Sequence, residues 1–332
     1  MIKKAGFILL STAIGISIFF VLVSKLGEGG ILAQLSQFPL WQYLAISLLS
    51  FLFFLFVALT LHTLLDSFGY KTKMKDLYPL QMLKYSIGYI TPFMNIGGEP
   101  AMIFLLRKKL HIKITHATTA VILERILRMT LTVILFIVGI TTAFSRLLLS
   151  NENLTMLIVV VAAFALFFYL FYRGVLSGKG VITSLMKTLK LDKFKCVKKV
   201  EKELEDADRL TVRFFKKHKK EFARSMIFAG GAILVVFLRT WLILKMLGYS
   251  ARVTDLLLIF TLENLMILVP IPASLGTYEA GNAAVFALQG ITAGLGLVYS
   301  IIVRITYLIA ILPGLIVASY YGITIGGKTP RR

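Results

Sequence analysis

Four charged residues sit where an apolar chain should have none. Glu99 follows Gly97-Gly98, and Arg125 follows it 26 residues later. Glu279 follows Gly276, and Arg304 comes 25 residues after it. The flanking text also repeats. The first stretch reads Pro92-Phe-Met-Asn-Ile-Gly97-Gly98-Glu99-Pro-Ala, and the second reads Pro270-Ile-Pro272-Ala-Ser-Leu-Gly276-Thr-Tyr-Glu279-Ala. Each runs Pro, Gly, Glu, Ala, and each arginine is followed by isoleucine, Arg125-Ile126 and Arg304-Ile305. Arginine suits a phosphate group, because its planar fork donates bidentate bonds and keeps its charge. A glutamate nearby neutralises that charge when no anion is bound, or takes a proton or a cationic headgroup. Arg125 has no acid four residues away on its own helix, which points to Glu99 as partner. Arg304 has no acid on its helix either, so Glu279 or Glu263 is the partner expected. Tyr307 shares the Arg304 face.

Composition says where such groups must live. Of 332 residues, 58% are hydrophobic and 16% charged, and the mean hydropathy is +0.83. A soluble chain runs nearer 45–50% apolar and about 25% charged, so a polytopic membrane protein is expected. The net charge of +21 does not call for nucleic acid. The basic residues fall between apolar runs, as the positive-inside rule expects. The single Cys196 excludes an intrachain disulfide and a cysteine metal cluster. His62, His111, His116 and His218 lack metal spacing, so no metal site is expected. No Walker motif and no nucleophile–base pair are present. No cofactor and no catalytic residue are therefore expected, and transport would be facilitated or ion-driven.

A spanning helix needs about 20 mostly apolar residues. Six runs qualify: Ala5–Ser24, Leu40–Leu65, Thr115–Ser145, Asn153–Tyr172, Ala223–Gly248 and Gly294–Gly322. The first follows Lys3-Lys4 without a small-residue cleavage pattern, so it reads as a retained helix. Two further stretches, Leu77–Leu106 and Thr254–Leu288, are broken by Pro and Gly. The piece Glu99–Leu106 is only about 12 Å long at 1.5 Å per residue, against a hydrocarbon core of about 30 Å. Basic clusters stand on both sides of the first broken stretch: Lys71, Lys73, Lys75 and Lys84 before it, Arg107, Lys108, Lys109 and Lys113 after it. A re-entrant hairpin from the cytoplasmic side keeps both inside. The second hairpin then enters from outside, and six crossings put both termini in the cytoplasm of a plasma-membrane protein.

The expected architecture is thus all-α. It is one membrane domain over 1–332, with six full crossings and two broken re-entrant hairpins. The repeats of about 40–145 and 223–322 run in opposite directions, the layout of secondary transporters with inverted repeats. Freed backbone at membrane depth is tolerated where protein buries it or a cavity wets it, which makes Gly97, Gly98 and Gly276 candidate binding positions. Pro100 at a first helical position and Thr277 as an N-cap would suit half-helix starts. The segment 173–222 is the one sizeable extramembrane piece. Val197, Val200, Leu204, Ala207, Thr211 and Phe214 recur in it at helical spacing, so a basic amphipathic helix is expected, packed on the bundle or lying on anionic lipid. Buried ionisable groups are functional suspects by default. Glu124 and Arg128, four apart, can pair and read equally as structural. Arg239 is a weaker candidate for the phosphate site, since it reads equally as snorkelling or pairing with Glu263.

Gly97-Gly98-Glu99-Pro100, Leu123-Glu124-Arg125, and Pro270-Ile-Pro272 with Gly276, Glu279 and Arg304 resemble the lysylphosphatidylglycerol synthase transmembrane-region family. The resemblance runs from about Leu40 to Gly322. It departs at Met102, where members often carry arginine, and at Arg128, where an acid is common. The resemblance implies a flippase-like integral membrane protein that moves or handles membrane lipids. In multiple-peptide-resistance proteins a similar domain is fused to a soluble aminoacyl-tRNA-dependent transferase. No soluble segment longer than 173–222 lies in this chain, so that catalytic domain is not expected in it. The substrate-binding residues expected are Arg125, Arg304, Glu99, Glu279, Tyr307, Gly97, Gly98 and Gly276. The partner expected is an anionic membrane lipid, with a lipid-modifying enzyme as a further partner. The rival classes are an integral-membrane transferase and an accessory subunit in aminoacyl-phospholipid or polyprenyl-lipid metabolism.

Overall fold

The computed structural model describes residues 16–18, 20–24, 35–36, 38–91, 97–146, 151–177, 201–266 and 271–320. Among these the chain is helical and has no strand. Helix α1 spans Leu40–Ser67, α2 Met74–Ile90, α3 Gly98–Leu110 and α4 Ile114–Arg146. Helix α5 spans Asn151–Leu176 and α6 Glu201–Lys217. Helix α7 spans Lys219–Met246, α8 Val253–Met266, α9 Thr277–Leu288 and α10 Ala293–Tyr320, with a 3-10 turn at Pro272–Ser274 before α9.

The order long, short, break, short, long occurs twice. The starting residues keep one spacing throughout: 40 from 219, 74 from 253, 98 from 277 and 114 from 293. The helix ends repeat as well. After α1 the chain turns at Gly69, φ +87°, and the Tyr70 N–H reaches the Leu65 carbonyl at 3.1 Å. After α7 it turns at Gly248, φ +78°, and the Tyr249 N–H reaches the Leu244 carbonyl at 2.9 Å. A left-handed glycine closing a helix satisfies carbonyls that the helix leaves open.

Packing follows the same pattern. Helix α1 lies along α7, α2 along α10 and α4 along α8. Gly314 lets α10 approach α2, since a Cβ there would stand 2.5 Å from the Met82 carbonyl oxygen. Three helices are long and apolar enough to cross a membrane among the described residues: Leu40–Ser67, Lys219–Met246 and Ala293–Ile316. The expected runs Thr115–Ser145 and Asn153–Tyr172 are helical as α4 and α5. Most of Ala5–Ser24 and the tip at Asn95 lie outside the described residues.

The amphipathic helix of segment 173–222 is α6. It packs against α4 and α5, burying Ala207, Thr211 and Phe214 while Arg209 faces outward beside Glu205 and Asp206. Its apolar edge is docked on the bundle. Val197 and Val200 lie outside the described residues.

Candidate functional site

The first carboxylate is placed by a glycine. A Cβ at Gly98 would stand 2.0 Å from the Lys84 carbonyl oxygen, so only glycine lets α3 begin against α2. Glu99 then falls in the first turn of α3, where the helix dipole favours a negative charge. From there it pairs with Arg125 of α4, and both side chains stay about one-fifth exposed, at 19% and 21%. Pro100 is the third residue of α3, not the first. It is tolerated there because first-turn N–H groups have no helical acceptor.

The second carboxylate is held more tightly. The chain enters α9 through Ala273 and Ser274 at φ +54° and +47°, then Gly276 at +76°. The Gly276 N–H donates to Glu279 Oε2 at 2.8 Å. Arg304 of α10 closes on Glu279 Oε1, with Nε at 2.7 Å and Nη2 at 2.6 Å. Arg304 Nη1 also donates to the Tyr89 hydroxyl at 2.7 Å and the Ala273 carbonyl at 3.1 Å. Glu279, not Glu263, is therefore the Arg304 partner. Thr277 is the first helical residue, and Gly276 takes the N-cap position expected of it.

A third cluster joins α2 to α4. Glu124, 1% exposed, accepts from Lys84 at 2.7 Å, Gln81 at 3.1 Å and Arg128 at 3.3 Å. Arg128 also donates to the Tyr85 hydroxyl. Lys84 corrects the sequence reading. It is 5% exposed inside the bundle and is no part of a cytoplasmic basic flank. A lysine followed by apolar residues looks like a loop boundary, and only the acid facing it from another helix shows otherwise.

The fourth acid has a different environment. Glu263 of α8 accepts hydrogen bonds from the Tyr278 hydroxyl and from Tyr299, the latter at 3.0 Å, and Tyr299 meets Thr240 at 3.0 Å. Arg239 acts on Glu263 electrostatically, but the two form no ion pair.

These groups surround one partly open cavity of about 360 Å³. Lys84, Glu99, Arg125, Arg128, Arg239, Glu263 and Arg304 supply its charged lining, with Tyr85, Tyr89, Tyr278 and Tyr307. Apolar side chains line it as well. Phe136, Ile233 and Phe260 belong to one packed cluster and Val236 lies against it, with Phe168 of α5 also at the cavity. Of the residues singled out in the sequence, Glu99, Arg125, Arg304 and Tyr307 reach the cavity. Tyr307 packs its ring on Phe54 and Tyr89. Glu279 is fully buried behind Arg304. Gly97, Gly98 and Gly276 are not at the cavity surface, so they shape the helix starts and do not line the site. Tyr85, Tyr89 and Tyr278 were not singled out, because a tyrosine in an apolar run carries no mark of which way it faces. Among the described residues no three His, Cys, Asp or Glu side chains cluster to hold a metal.

A family model described as the lysylphosphatidylglycerol synthase TM region matches residues 8–314. The chain belongs to this family. No curated protein and no solved structure matches the chain. Membership makes this lysylphosphatidylglycerol synthase transmembrane-region protein a membrane protein linked to lipid metabolism. Its cavity is lined by cations and by apolar side chains, the two kinds of surface that a headgroup phosphate and an acyl chain require. Guanidinium groups offer bidentate donation to phosphate oxygens. The buried carboxylates keep the empty cavity from holding several uncompensated cations, each costly at membrane depth.

Proposed function

We propose that this protein translocates or handles an anionic phospholipid or lipid-linked intermediate in the plasma membrane, as a flippase-like transporter. The observation that supports it most is one cavity lined both by arginines and by phenylalanine and aliphatic side chains. Arg125 and Arg304 grip the phosphate. Glu99 and Glu279 hold those arginines when the cavity is empty, Tyr307 packs beside them, and Gly97, Gly98 and Gly276 allow the helix starts that carry the acids. The matched helix spacing supports an inverted repeat of about 40–145 and 223–322 within one membrane domain, with six crossings, two re-entrant hairpins and cytoplasmic termini. Such a repeat lets one half rock against the other around a site at the midplane.

The test is lipid movement in vesicles. The purified full chain in phosphatidylcholine vesicles should move fluorescent phosphatidylglycerol between leaflets without any cosubstrate, and faster than fluorescent phosphatidylcholine. Arg304→Lys, which keeps charge and loses the fork, should slow it. Movement that needs an aminoacyl or sugar donor would replace the transporter with a transferase. Movement that needs a second protein would make it an accessory subunit.

A further inference from the structure

The ion pairs leave one guanidinium over. Lys84 and Arg128 share Glu124, Arg125 holds Glu99, and Arg304 holds Glu279. Arg239 of α7 lines the same cavity. Among the described residues it forms no ion pair, and its buried Nε has no hydrogen-bond partner. Glu263 feels its charge, but that carboxylate is occupied by the hydroxyls of Tyr278 and Tyr299.

An arginine in an apolar helix ordinarily snorkels along the surface to water. Arg239 does not. Its Nε is buried and the side chain borders the cavity. The exposed side of the helix is taken by Leu238 and by Trp241, with Lys245 over the Trp241 ring. Thr240 ties the same turn to Tyr299 at 3.0 Å. A cation kept inward with no carboxylate in ion-pair contact is a site that an incoming anion completes.

Charge and neighbours define the anion. Five cations border the cavity, Lys84, Arg125, Arg128, Arg239 and Arg304. The carboxylates at the cavity or paired to those cations are four, Glu99, Glu124, Glu263 and Glu279. With all ionised, one positive charge remains. A phosphodiester carries one negative charge, whereas a phosphate monoester carries about 1.5 to 2 at neutral pH. On the same helix, Ile233 and Val236 line the cavity at six and three residues before Arg239. They pack with Phe136 and Phe260 in one apolar cluster. An acyl chain therefore finds cover next to the guanidinium.

We infer that Arg239 is a further anion-binding residue of this cavity, taking the negative charge of a lipid phosphodiester before Arg125 and Arg304 close on it. The inference rests on the lipid-handling reading above and names the residue that the lipid meets first.

Calorimetric titration of the purified full chain in detergent tests it. The probes are dihexanoyl phosphatidylglycerol, dihexanoyl phosphatidic acid and water-soluble glycerophosphoglycerol. Phosphatidylglycerol should bind, and phosphatidic acid should bind more weakly. Arg239→Gln should weaken phosphatidylglycerol by about tenfold or more, the scale of a lost charge-assisted contact. Arg239→Lys should recover part of that loss. The melting temperature of Arg239→Gln should not fall, because no protein partner is lost. Wild-type affinity for phosphatidylglycerol in Arg239→Gln overturns the inference and leaves the lipid-handling reading standing. A wild-type protein that binds no lipid ends both. Glycerophosphoglycerol binding as tightly as the lipid would overturn the lipid source. A lowered melting temperature in Arg239→Gln, restored by adding Glu263→Gln, would make Arg239 a structural partner of Glu263 and also overturn it.

Discussion

The two halves of the bundle share a scaffold and differ in chemistry. In α1–α4 the Glu99–Arg125 pair is about one-fifth exposed and borders the cavity on both sides. In α7–α10 the Glu279 carboxylate is fully buried, and Arg304 alone faces the cavity. Arg304 is also fastened across the halves, to Tyr89 of α2. The contrast extends to positions 84 and 263, which keep the common spacing. Lys84 is a buried cation matched by Glu124, and Glu263 is a buried acid held by phenols. The first half therefore carries the more accessible pair. The second carries the more deeply buried one, and a hydrogen bond from its arginine to Tyr89 adds to the helix packing between the halves.

The comparison breaks most sharply on orientation, where the expected effect is all-or-none. On a Cys196→Ser background, single cysteines at exposed Lys73 and Lys109 should resist an impermeant outside reagent. Cysteines at exposed Arg252 and Thr292 should react with it. Labelling of one member of either pair without the other would remove the inverted arrangement. Next in size is Glu124→Ala, which strands Lys84 and Arg128 without their shared acid. Removing one partner of a buried pair costs about 3–5 kcal/mol, and thermal melting in detergent should show it. Arg304→Ala should destabilise by about 3 kcal/mol, because it leaves Glu279 buried and unpaired. Arg125→Ala should cost about 1 kcal/mol or less, since Glu99 keeps contact with water in the cavity. Equal losses would contradict the difference between the halves. Between Arg304→Ala and Arg125→Ala falls Tyr89→Phe. It removes one neutral-to-charged hydrogen bond from a guanidinium that keeps its carboxylate, a loss of about 1–2 kcal/mol.

Much of this was legible in the chain. The two Glu–Arg spacings pointed to Glu99 for Arg125 and left Arg304 between Glu279 and Glu263, because a charge in an apolar helix needs a partner and only the fold shows which acid reaches it. The short helices on either side of each break followed from Pro and Gly. The helix starts were read one or two residues off at Pro100 and Thr277, since a cap is decided by backbone angles that residue type only biases. Lys84 was misplaced because it reads as the last of the basic cluster Lys71, Lys73 and Lys75 until α4 brings Glu124 to it. Tyr89 could not be found at all, since its role depends on α2 lying along α10, a contact between residues far apart in the chain. Arg239 read equally as a weaker site candidate and as a residue that snorkels or pairs with Glu263, and only the fold shows it bordering the cavity.

The central claim is that one cavity between the halves receives the phosphate of an anionic lipid. Electron cryomicroscopy of the full chain in nanodiscs containing phosphatidylglycerol tests it most directly. The account predicts phosphate density inside the cavity, within about 4 Å of the Arg239 guanidinium and near Arg304, the range of a direct charged contact, with acyl density running toward Phe136 and Phe260. Ordered phosphatidylglycerol found only on the outer surface of the bundle, with the cavity holding water alone, would contradict it.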